Sequence, residues 1–495
     1  MQAQLSRAPY FVLPRDSGSD RQAAIVFLVL LSICTALPAA LLPAEPLWLL
    51  AAIPIAALIM LEPTAGLYAA IAVVGIDVSG PNTQALSVIF AGIPGLKATP
   101  VELLILWTTF SAFLRTLGQE RQGSDGLVLT ALVTFLVLLL LGVLNGVSKG
   151  GNFTIALWEV RAMLCILPVM LATNWLIRDR GQLKRLAIIS VVVLVLMTVE
   201  AFWRYMTYVR PGTFSGVLEF AFGHETSVLV GLLMILCAAW SLWGPNRKQR
   251  LIALALALAA GVVEMTMRRR AGLIGAEVGL LTLGILLLIK DYRRFLIIAP
   301  IFLIVASAYL SFFWNSTKSV GEPARAFRTV FDSGSTAPRD QASDEYRRAE
   351  KLSVWANIHA KPIDGIGFGV VYAKPYPFWN LSGFWPFWEY IPHNTILWLW
   401  MKGGVVTFLA FWFLLGAAIV RMVAICRSTT DHFLVATSAG IAAFFPMLVL
   451  FSYVDLGLTN VRLMILVGVC FGLIGLLQRL ALDHPEASLS KAGVM

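Results

Sequence analysis

Long apolar runs recur along this chain and restrict its fold more than any other feature. The clearest of these runs are residues 24–42, 127–144, 186–198, 273–289 and 461–477. A helix of about 20 apolar residues crosses a bilayer and satisfies its own backbone groups there. Because 58% of the 495 residues are hydrophobic and only 13% are charged, the chain lacks the charge to coat a soluble globule. The runs predict an all-α, polytopic membrane protein with about 12 to 14 transmembrane helices.

Positive charge alternates between the loops as the positive-inside rule describes. If the N-terminus is cytoplasmic, the loops on its side include Arg178–Arg185, Arg247–Arg250, Lys290–Arg294 and Arg421–Arg427. The other side then carries one long hydrophilic loop, which divides the chain into regions 1–314, 315–392 and 393–495. Both termini are predicted to be cytoplasmic. Since topology accounts for the net charge of +10, we expect a lipid bilayer and no nucleic acid as partner.

The chain lacks the common signatures of metal and nucleotide sites. Its five cysteines stand singly within apolar runs, so neither a disulfide framework nor a zinc site is indicated. It has no P-loop, no GxSxG, no HExxH and no DxD-like cluster on the predicted outer side. We therefore predict that it uses no cofactor and no metal.

Three consecutive arginines, Arg268, Arg269 and Arg270, form a turn between two spans on the predicted outer side. Arginines that reach from helix ends to the lipid headgroups are one explanation. Glu264 stands four residues before Arg268 and is suited to pair with it, which would leave two guanidinium groups. Because positive charge is disfavoured on this side, the triplet favours a site for an anionic ligand at the outer surface.

Two histidines begin spans at the same predicted surface. His393 directly follows the long loop, where an imidazole is suited to act as a general base near neutral pH. A helix-capping or interfacial histidine is the alternative. His224 opens an earlier span and is the weaker candidate.

The long loop combines a charged helix with an aromatic tract. Residues 340–360 have helical character and contain Arg347 and Arg348 among acidic residues that include Glu350. Taken alone, such a mixture indicates a solvated helix face. Aromatic residues crowd 376–390, and rings of this kind usually lie at the lipid headgroups, with stacking on sugars as the alternative.

Several short motifs follow one another in the second half of the chain. They are Arg270-Ala271-Gly272, Arg347, Ile358-His-Ala-Lys-Pro362-Ile-Asp-Gly365-Ile-Gly367, His393-Asn394 and Gly403-Gly404. Their order, spacing and placement on one side resemble the O-antigen ligase and polymerase family of bacterial envelope glycosyltransferases. The specific part of the resemblance spans 268–413, and Arg210 and His224 belong to a looser match upstream.

The resemblance implies a GT-C-like helical fold that transfers a glycan from undecaprenyl diphosphate to a lipid or glycan acceptor. It places the reaction at the periplasmic face of the inner membrane. Position by position, it implies that Arg270 and Arg347 contact the diphosphate and that His393 orients or deprotonates the acceptor hydroxyl. The family has a small polar residue where Arg269 stands, so Arg269 competes with Arg270 for that role, as Arg348 does with Arg347.

The same resemblance offers three further contacts to the donor or the acceptor, namely His224, Arg210 and Asn394. Ligase and polymerase activity are not separable from these residues. The competing class is a transporter, because many helices with a few ionic residues also describe carriers. Carriers usually place ionisable residues at mid-membrane, whereas Glu277 alone is predicted to lie well within a span here. A non-catalytic scaffold would leave the arginine triplet unexplained.

Overall fold

The protein is a bundle of long helices. The computed structural model describes residues 45–77, 98–117, 123–212, 221–316, 319–331, 338–383 and 385–483, together with Ile25 and Phe90. Within these residues the helices predominate and no β-strand occurs. The predicted all-α class is confirmed.

The helices are numbered here in chain order. The first eight are α1 (Glu45–Leu61), α2 (Pro63–Val74), α3 (Pro100–Thr116), α4 (Gly126–Ser148), α5 (Phe153–Leu164), α6 (Ile166–Leu176), α7 (Arg180–Arg204) and α8 (His224–Trp243). The others are α9 (Arg247–Met267), α10 (Arg270–Lys290), α11 (Tyr292–Phe313), α12 (Glu322–Phe331), α13 (Pro338–Ala360), α14 (Thr395–Ser428), α15 (His432–Val454) and α16 (Val461–Leu482).

Ten helical stretches in the described part of the chain are long and apolar enough to cross a membrane. They are α4, α5 continued by α6, α7 continued to Val209, the four helices α8 to α11, and α14 to α16. Shorter apolar helices precede them, and the run at 24–42 lies outside the described residues. The prediction of a polytopic membrane protein is confirmed. Between the spans α11 and α14 stand α12 and α13, and α13 covers the stretch predicted to be helical.

Polar residues start the spans. The side chains of Asp125, Asn152, Asp179, Asn246 and Asp431 each accept a hydrogen bond from a backbone N–H in the first turn of the helix that follows. Such caps satisfy backbone donors that have no partner within the helix. Each cap therefore marks where the chain leaves a connection and enters the bundle.

Contacts divide the bundle into two ends that agree with the predicted loop pattern. At one end Arg180 pairs with Asp431, and Arg421 lies 2.9 Å from Asp125. At the other end Lys149, after α4, lies 2.8 Å from Asp364 of the long loop. Loops predicted to share a side therefore meet each other. Which end faces the cytoplasm stays a prediction.

After α13 the chain enters a groove between α4 and α14. Three glycines make the turn in left-handed backbone, Gly365, Gly367 and Gly369, with φ of 67°, 92° and 79°. The Phe368 backbone N–H donates to the Gly142 carbonyl at 3.2 Å. Gly404 interrupts α14 with φ of 76°, and a Cβ there would lie 2.0 Å from the Ile363 carbonyl oxygen. The sequence needs glycine at these positions because two backbones meet.

A buried ion pair holds this loop against the bundle. Lys402 of α14 and Glu159 of α5 are both fully buried, with Nζ and Oε1 3.1 Å apart. Glu159 also accepts hydrogen bonds from the Trp398 indole at 3.3 Å and from the Gly369 backbone N–H, while Lys402 donates to the Val370 carbonyl. Two more ionisable groups therefore lie inside the spans, where the sequence predicted only Glu277. Hydropathy did not reveal them, because each charge is neutralised by a partner that is distant in sequence.

Candidate active site

One face of α13 carries three ionic residues at intervals of three positions, Asp344, Arg347 and Glu350. Residues with this spacing lie on one side of a helix. Each contacts a different part of the chain: Asp344 meets Arg270 at the start of α10, Arg347 meets Asp455 at the end of α15, and Glu350 meets His393 before α14. Helix α13 therefore joins the three segments at one end of the bundle.

His393 is held by the carboxylate of Glu350. The Nδ1 atom of His393 lies 3.2 Å from both carboxylate oxygens, and the His393 backbone N–H donates to Oε2 at 3.0 Å. The imidazole also packs against the rings of Tyr346 and Trp385, with centroids 5.5 and 5.9 Å away. Its side chain keeps 17% of its surface exposed, so the ring is oriented but still reachable.

Charge around His393 favours its protonated form. Burial acts in the opposite direction, but the hydrogen bond and charge of Glu350, with the charge of Asp455, outweigh burial and Arg347 and raise the pKa of His393 above its ordinary value. A base with a raised pKa takes up a proton more readily. The imidazole must be deprotonated to act as a base, so the rate should rise with pH until the raised pKa is passed.

Asp455 is the centre of a second cluster. It follows α15, is 2% exposed, and accepts a hydrogen bond from His224 Nδ1 at 2.6 Å. Arg347 Nη2 lies 3.8 Å from the same carboxylate oxygen. Burial alone would raise the pKa of Asp455, but His224, Arg347 and His393 together hold it well below its usual range. Asp455 therefore stays ionised and holds His224 of α8 and Arg347 of α13 near each other.

The arginine turn faces this cluster. Arg269 is the residue before α10; its Nη1 lies 3.3 and 3.2 Å from the two ring nitrogens of His224, and its Nη2 donates to the Phe222 carbonyl at 2.8 Å. Arg268, between α9 and α10, has φ of 54° and is the only non-glycine residue with positive φ in the described part of the chain. Such backbone is costly for a side-chain-bearing residue, so the contacts around the turn must hold it in place.

The other two arginines of the turn reach the long loop. Arg270 donates to both carboxylate oxygens of Asp344, at 3.1 and 2.9 Å, in the two-pronged geometry that suits arginine. Arg268 lies 3.9 Å from Glu322 at the start of α12. Glu264, suggested above as a partner for Arg268, is buried and accepts a hydrogen bond from Ser227.

Buried polar contacts fix the start of α8, which carries His224. Arg204 lies 3.4 Å from Asp77, and Asp77 accepts hydrogen bonds from the Gly223 backbone N–H at 3.1 Å and the Thr226 hydroxyl at 2.7 Å. Loss of the contact between Arg204 and Asp77 would leave a buried charge unpaired, which strongly destabilises the folded state. The position of His224 is therefore set by the bundle.

The structure brings most of the predicted site residues together. His224 and Arg347 contact Asp455, and Arg269 contacts His224. His393 and Arg270 connect to the same face of α13 through Glu350 and Asp344.

The other three predicted residues lie differently. Arg348 is exposed, and as the neighbour of Arg347 it is turned about 100° around the helix. Arg210 is also exposed and contacts Met206. Asn394 is buried and accepts the Leu397 N–H at 2.9 Å, as the cap of α14.

Sequence reasoning missed two residues of this site, Glu350 and Asp455. Glu350 was interpreted as part of a solvated helix face, yet it is 2% exposed. Its spacing from Arg347 on one face was the available signal, because it places both side chains toward one partner surface. For Asp455 the only signal in the sequence was its position at the end of an apolar run.

The described residues contain no group of three or more His, Cys, Asp or Glu side chains arranged to hold a metal ion. The chemistry available to them consists of proton transfer at an imidazole and stabilisation of negative charge by guanidinium groups. Independence from metal stays a prediction.

Residues 255–412 match the family model described as O-antigen ligase. The matched stretch contains Arg269, Arg270, Arg347 and His393, together with the glycine turn that enters the bundle. No curated protein matches the chain. The protein is thus an all-α, multi-pass membrane protein. More particularly, the resemblance of its late part to O-antigen ligases is confirmed.

Proposed function

We propose that this protein is a membrane glycosyltransferase that moves a glycan from undecaprenyl diphosphate to an acceptor hydroxyl or amine. The observation that carries the proposal is that Arg269, Arg347 and His393 lie at two clusters joined by one face of α13, within the stretch that matches the O-antigen ligase model. They come from the start of α10, from α13 and from the start of α14. Anion-binding groups and a base are thereby combined at one end of the bundle.

Displacement of a lipid diphosphate requires stabilisation of the negative charge on the leaving oxygen. Arginine suits this task because its planar fork donates to two oxygens and remains charged near lipid. The contact of Arg347 with Asp455, at 3.8 Å, is longer than a hydrogen bond, so guanidinium donors of Arg347 remain for phosphate oxygens. Arg270 is already in bidentate geometry with a carboxylate and would exchange Asp344 for phosphate.

The second requirement is an activated acceptor. His393 Nε2 takes the proton of the acceptor hydroxyl while that oxygen attacks the anomeric carbon. The bond from the anomeric carbon to the phosphate oxygen breaks, and its electron pair leaves with undecaprenyl diphosphate. The imidazolium then gives its proton to solvent. A base in this position contributes about 10² to 10⁴-fold in rate.

Two activities of the family remain open within this proposal. A ligase moves the glycan to a different lipid or glycan acceptor, and a polymerase moves it to another lipid-linked repeat unit. We place the reaction at the periplasmic face of the inner membrane with both termini in the cytoplasm, on the strength of the loop charges and the family resemblance.

The test uses the full-length protein in lipid nanodiscs with an undecaprenyl-diphosphate-linked glycan. One arm supplies an extract of envelope lipids as acceptor, and another supplies only further lipid-linked repeat units. A glycosylated acceptor lipid identifies a ligase, and a lengthened lipid-linked glycan identifies a polymerase. A chelator should leave either reaction unchanged.

The transporter alternative makes a different prediction in the same system. If the protein carries the lipid-linked glycan across the bilayer, proteoliposomes will move it between leaflets and neither arm will yield a new glycosidic bond. That result, obtained with donor binding intact, would refute the transferase proposal.

A further inference from the structure

Glu350 is the most buried of the three ionic residues on the α13 face. Its side chain is 3% exposed, whereas those of Arg347 and Asp344 are 32% and 43% exposed. A carboxylate at this depth is costly unless its oxygens are satisfied. Both oxygens lie 3.2 Å from Nδ1 of His393, and Oε2 also accepts the His393 backbone N–H at 3.0 Å.

These contacts determine which nitrogen of His393 remains to act as the base. An ionised carboxylate only accepts hydrogen bonds, so the nitrogen beside it, Nδ1, must carry the hydrogen. In the neutral imidazole the other nitrogen, Nε2, then has a lone pair and no hydrogen. The His393 backbone N–H also donates to Oε2, so the carboxylate cannot move away from His393 without losing that second bond.

A further layer holds Glu350 itself. The Tyr346 hydroxyl lies 3.4 Å from Glu350 Oε1, and the Trp388 indole N–H donates to the Tyr346 oxygen at 2.8 Å. Trp388 and Tyr346 are both buried. These contacts restrict the movement of the carboxylate beside the imidazole.

We propose that Glu350 is a positioning residue that selects the Nδ1-protonated tautomer of His393 and stabilises the imidazolium formed when Nε2 accepts a proton. The inference rests on the proposed transferase function for its kinetic consequences. Glu350 itself gains no proton: the acceptor proton moves to Nε2, the Nδ1 hydrogen stays in place, and the negative charge of Glu350 offsets the new positive charge.

The kinetic test is a double-mutant cycle with Glu350→Gln, His393→Ala and the combined variant. Loss of the carboxylate should lower kcat about 10 to 100-fold and leave KM within about twofold, because the base is disturbed and donor contacts are not. The combined variant should be no slower than His393→Ala, since the two residues act as a unit. Glu345→Gln, an exposed neighbour on the same helix, is the matched control and should retain wild-type rates.

The pH profile separates positioning from a merely structural role. The charged and titratable groups that act on His393 are Glu350, Arg347 and Tyr346 from α13 and Asp455 after α15. With three of the four unchanged, Glu350→Gln should move the acidic limb of kcat to lower pH by about one unit. Glu350→Asp, which retains the charge, should keep that limb near the wild-type position even if its rate is reduced. Equal rates and profiles for wild type and Glu350→Gln, or losses that multiply in the combined variant, would overturn the proposal.

A measurement without any substrate distinguishes failure of this inference from failure of the proposed function. In ¹⁵N-histidine-labelled protein in liposomes, the His393 signals are assigned by their disappearance in His393→Ala. Solid-state NMR should show the Nδ1-protonated tautomer in wild type and a mixture of tautomers with a lowered pKa in Glu350→Gln. An unchanged tautomer and pKa in Glu350→Gln would refute the positioning role even if the protein proves to be a transferase.

Discussion

Two ion pairs in the described part of this protein use the same kinds of side chain at very different exposure. Lys402 and Glu159 are fully buried, 3.1 Å apart, and surrounded by backbone and indole partners. Arg347 and Asp455 are 3.8 Å apart, and the arginine is 32% exposed. A fully enclosed pair has its hydrogen-bonding capacity taken up within the protein, whereas a half-exposed arginine on a loose contact can exchange partners. Exposure and contact length, not charge, separate an ion pair that holds the fold from one suited to a substrate.

The largest expected effect is on the enclosed pair. Lys402→Met leaves Glu159 as an uncompensated buried carboxylate, which costs about 3 to 5 kcal/mol. We expect a sharply lowered thermal unfolding temperature or loss of folded protein, measured by intrinsic fluorescence and gel filtration in detergent. Lys402→Met combined with Glu159→Leu removes both charges but leaves the Gly369 N–H and the Trp398 indole without their acceptor, so it should recover only part of the stability. Failure of the double variant to recover would mean that the pair contributes more than mutual neutralisation.

The next effect should fall on activity and leave stability nearly unchanged. Arg347→Ala removes a donor from the proposed diphosphate site and should lower kcat/KM for glycan transfer about 10² to 10³-fold. Arg348→Ala, next along the helix but exposed, is the control and should stay within about twofold of wild type. Equal losses for the two variants would contradict the assignment of Arg347 to the site.

The pH dependence of glycan transfer should follow the ionisation of His393. Glu350 and Asp455 raise the pKa of His393 above about 6.5, and the base acts only when deprotonated, so kcat/KM should rise with pH until that raised pKa is passed. Below the pKa the rate should fall about tenfold per pH unit. Residual activity of His393→Ala should lack this limb. If His393→Ala retains the limb, another group is the base.

The smallest expected effect concerns the carboxylate that occupies Arg270. Asp344→Asn removes a partly exposed partner, and pairs of this kind are worth about 0.2 to 1 kcal/mol. With the competing carboxylate gone, Arg270 should bind the donor more tightly, so KM should fall by up to about fivefold. Steady-state kinetics across donor concentrations measures the change, with Glu345→Gln as control. A raised KM would show that Asp344 orients Arg270 and does not compete with the diphosphate.

Much of the site could be predicted from local sequence. His393 was recognisable because it follows a long polar loop and starts an apolar run, and the arginine turn because its charge opposes the topological pattern. Glu350 was not recognisable as buried, because the residues around it on α13 are mostly polar and its partner lies 43 positions away. The Lys402–Glu159 pair could not be predicted for the same reason, since its two residues are 243 positions apart in the sequence (402 − 159).

The amino-acid sequence by itself determined that this chain forms membrane-spanning helices, which of its loops share a side, and that its late part resembles O-antigen ligases. Those properties depend on local hydropathy, loop charge and short motifs, all of which are present without the fold. Only the tertiary structure decided which arginine of each neighbouring pair contacts which partner, and that Glu350 and Asp455 lie at the candidate site. Those facts depend on the direction of each side chain around its helix and on contacts between distant segments, which packing alone establishes.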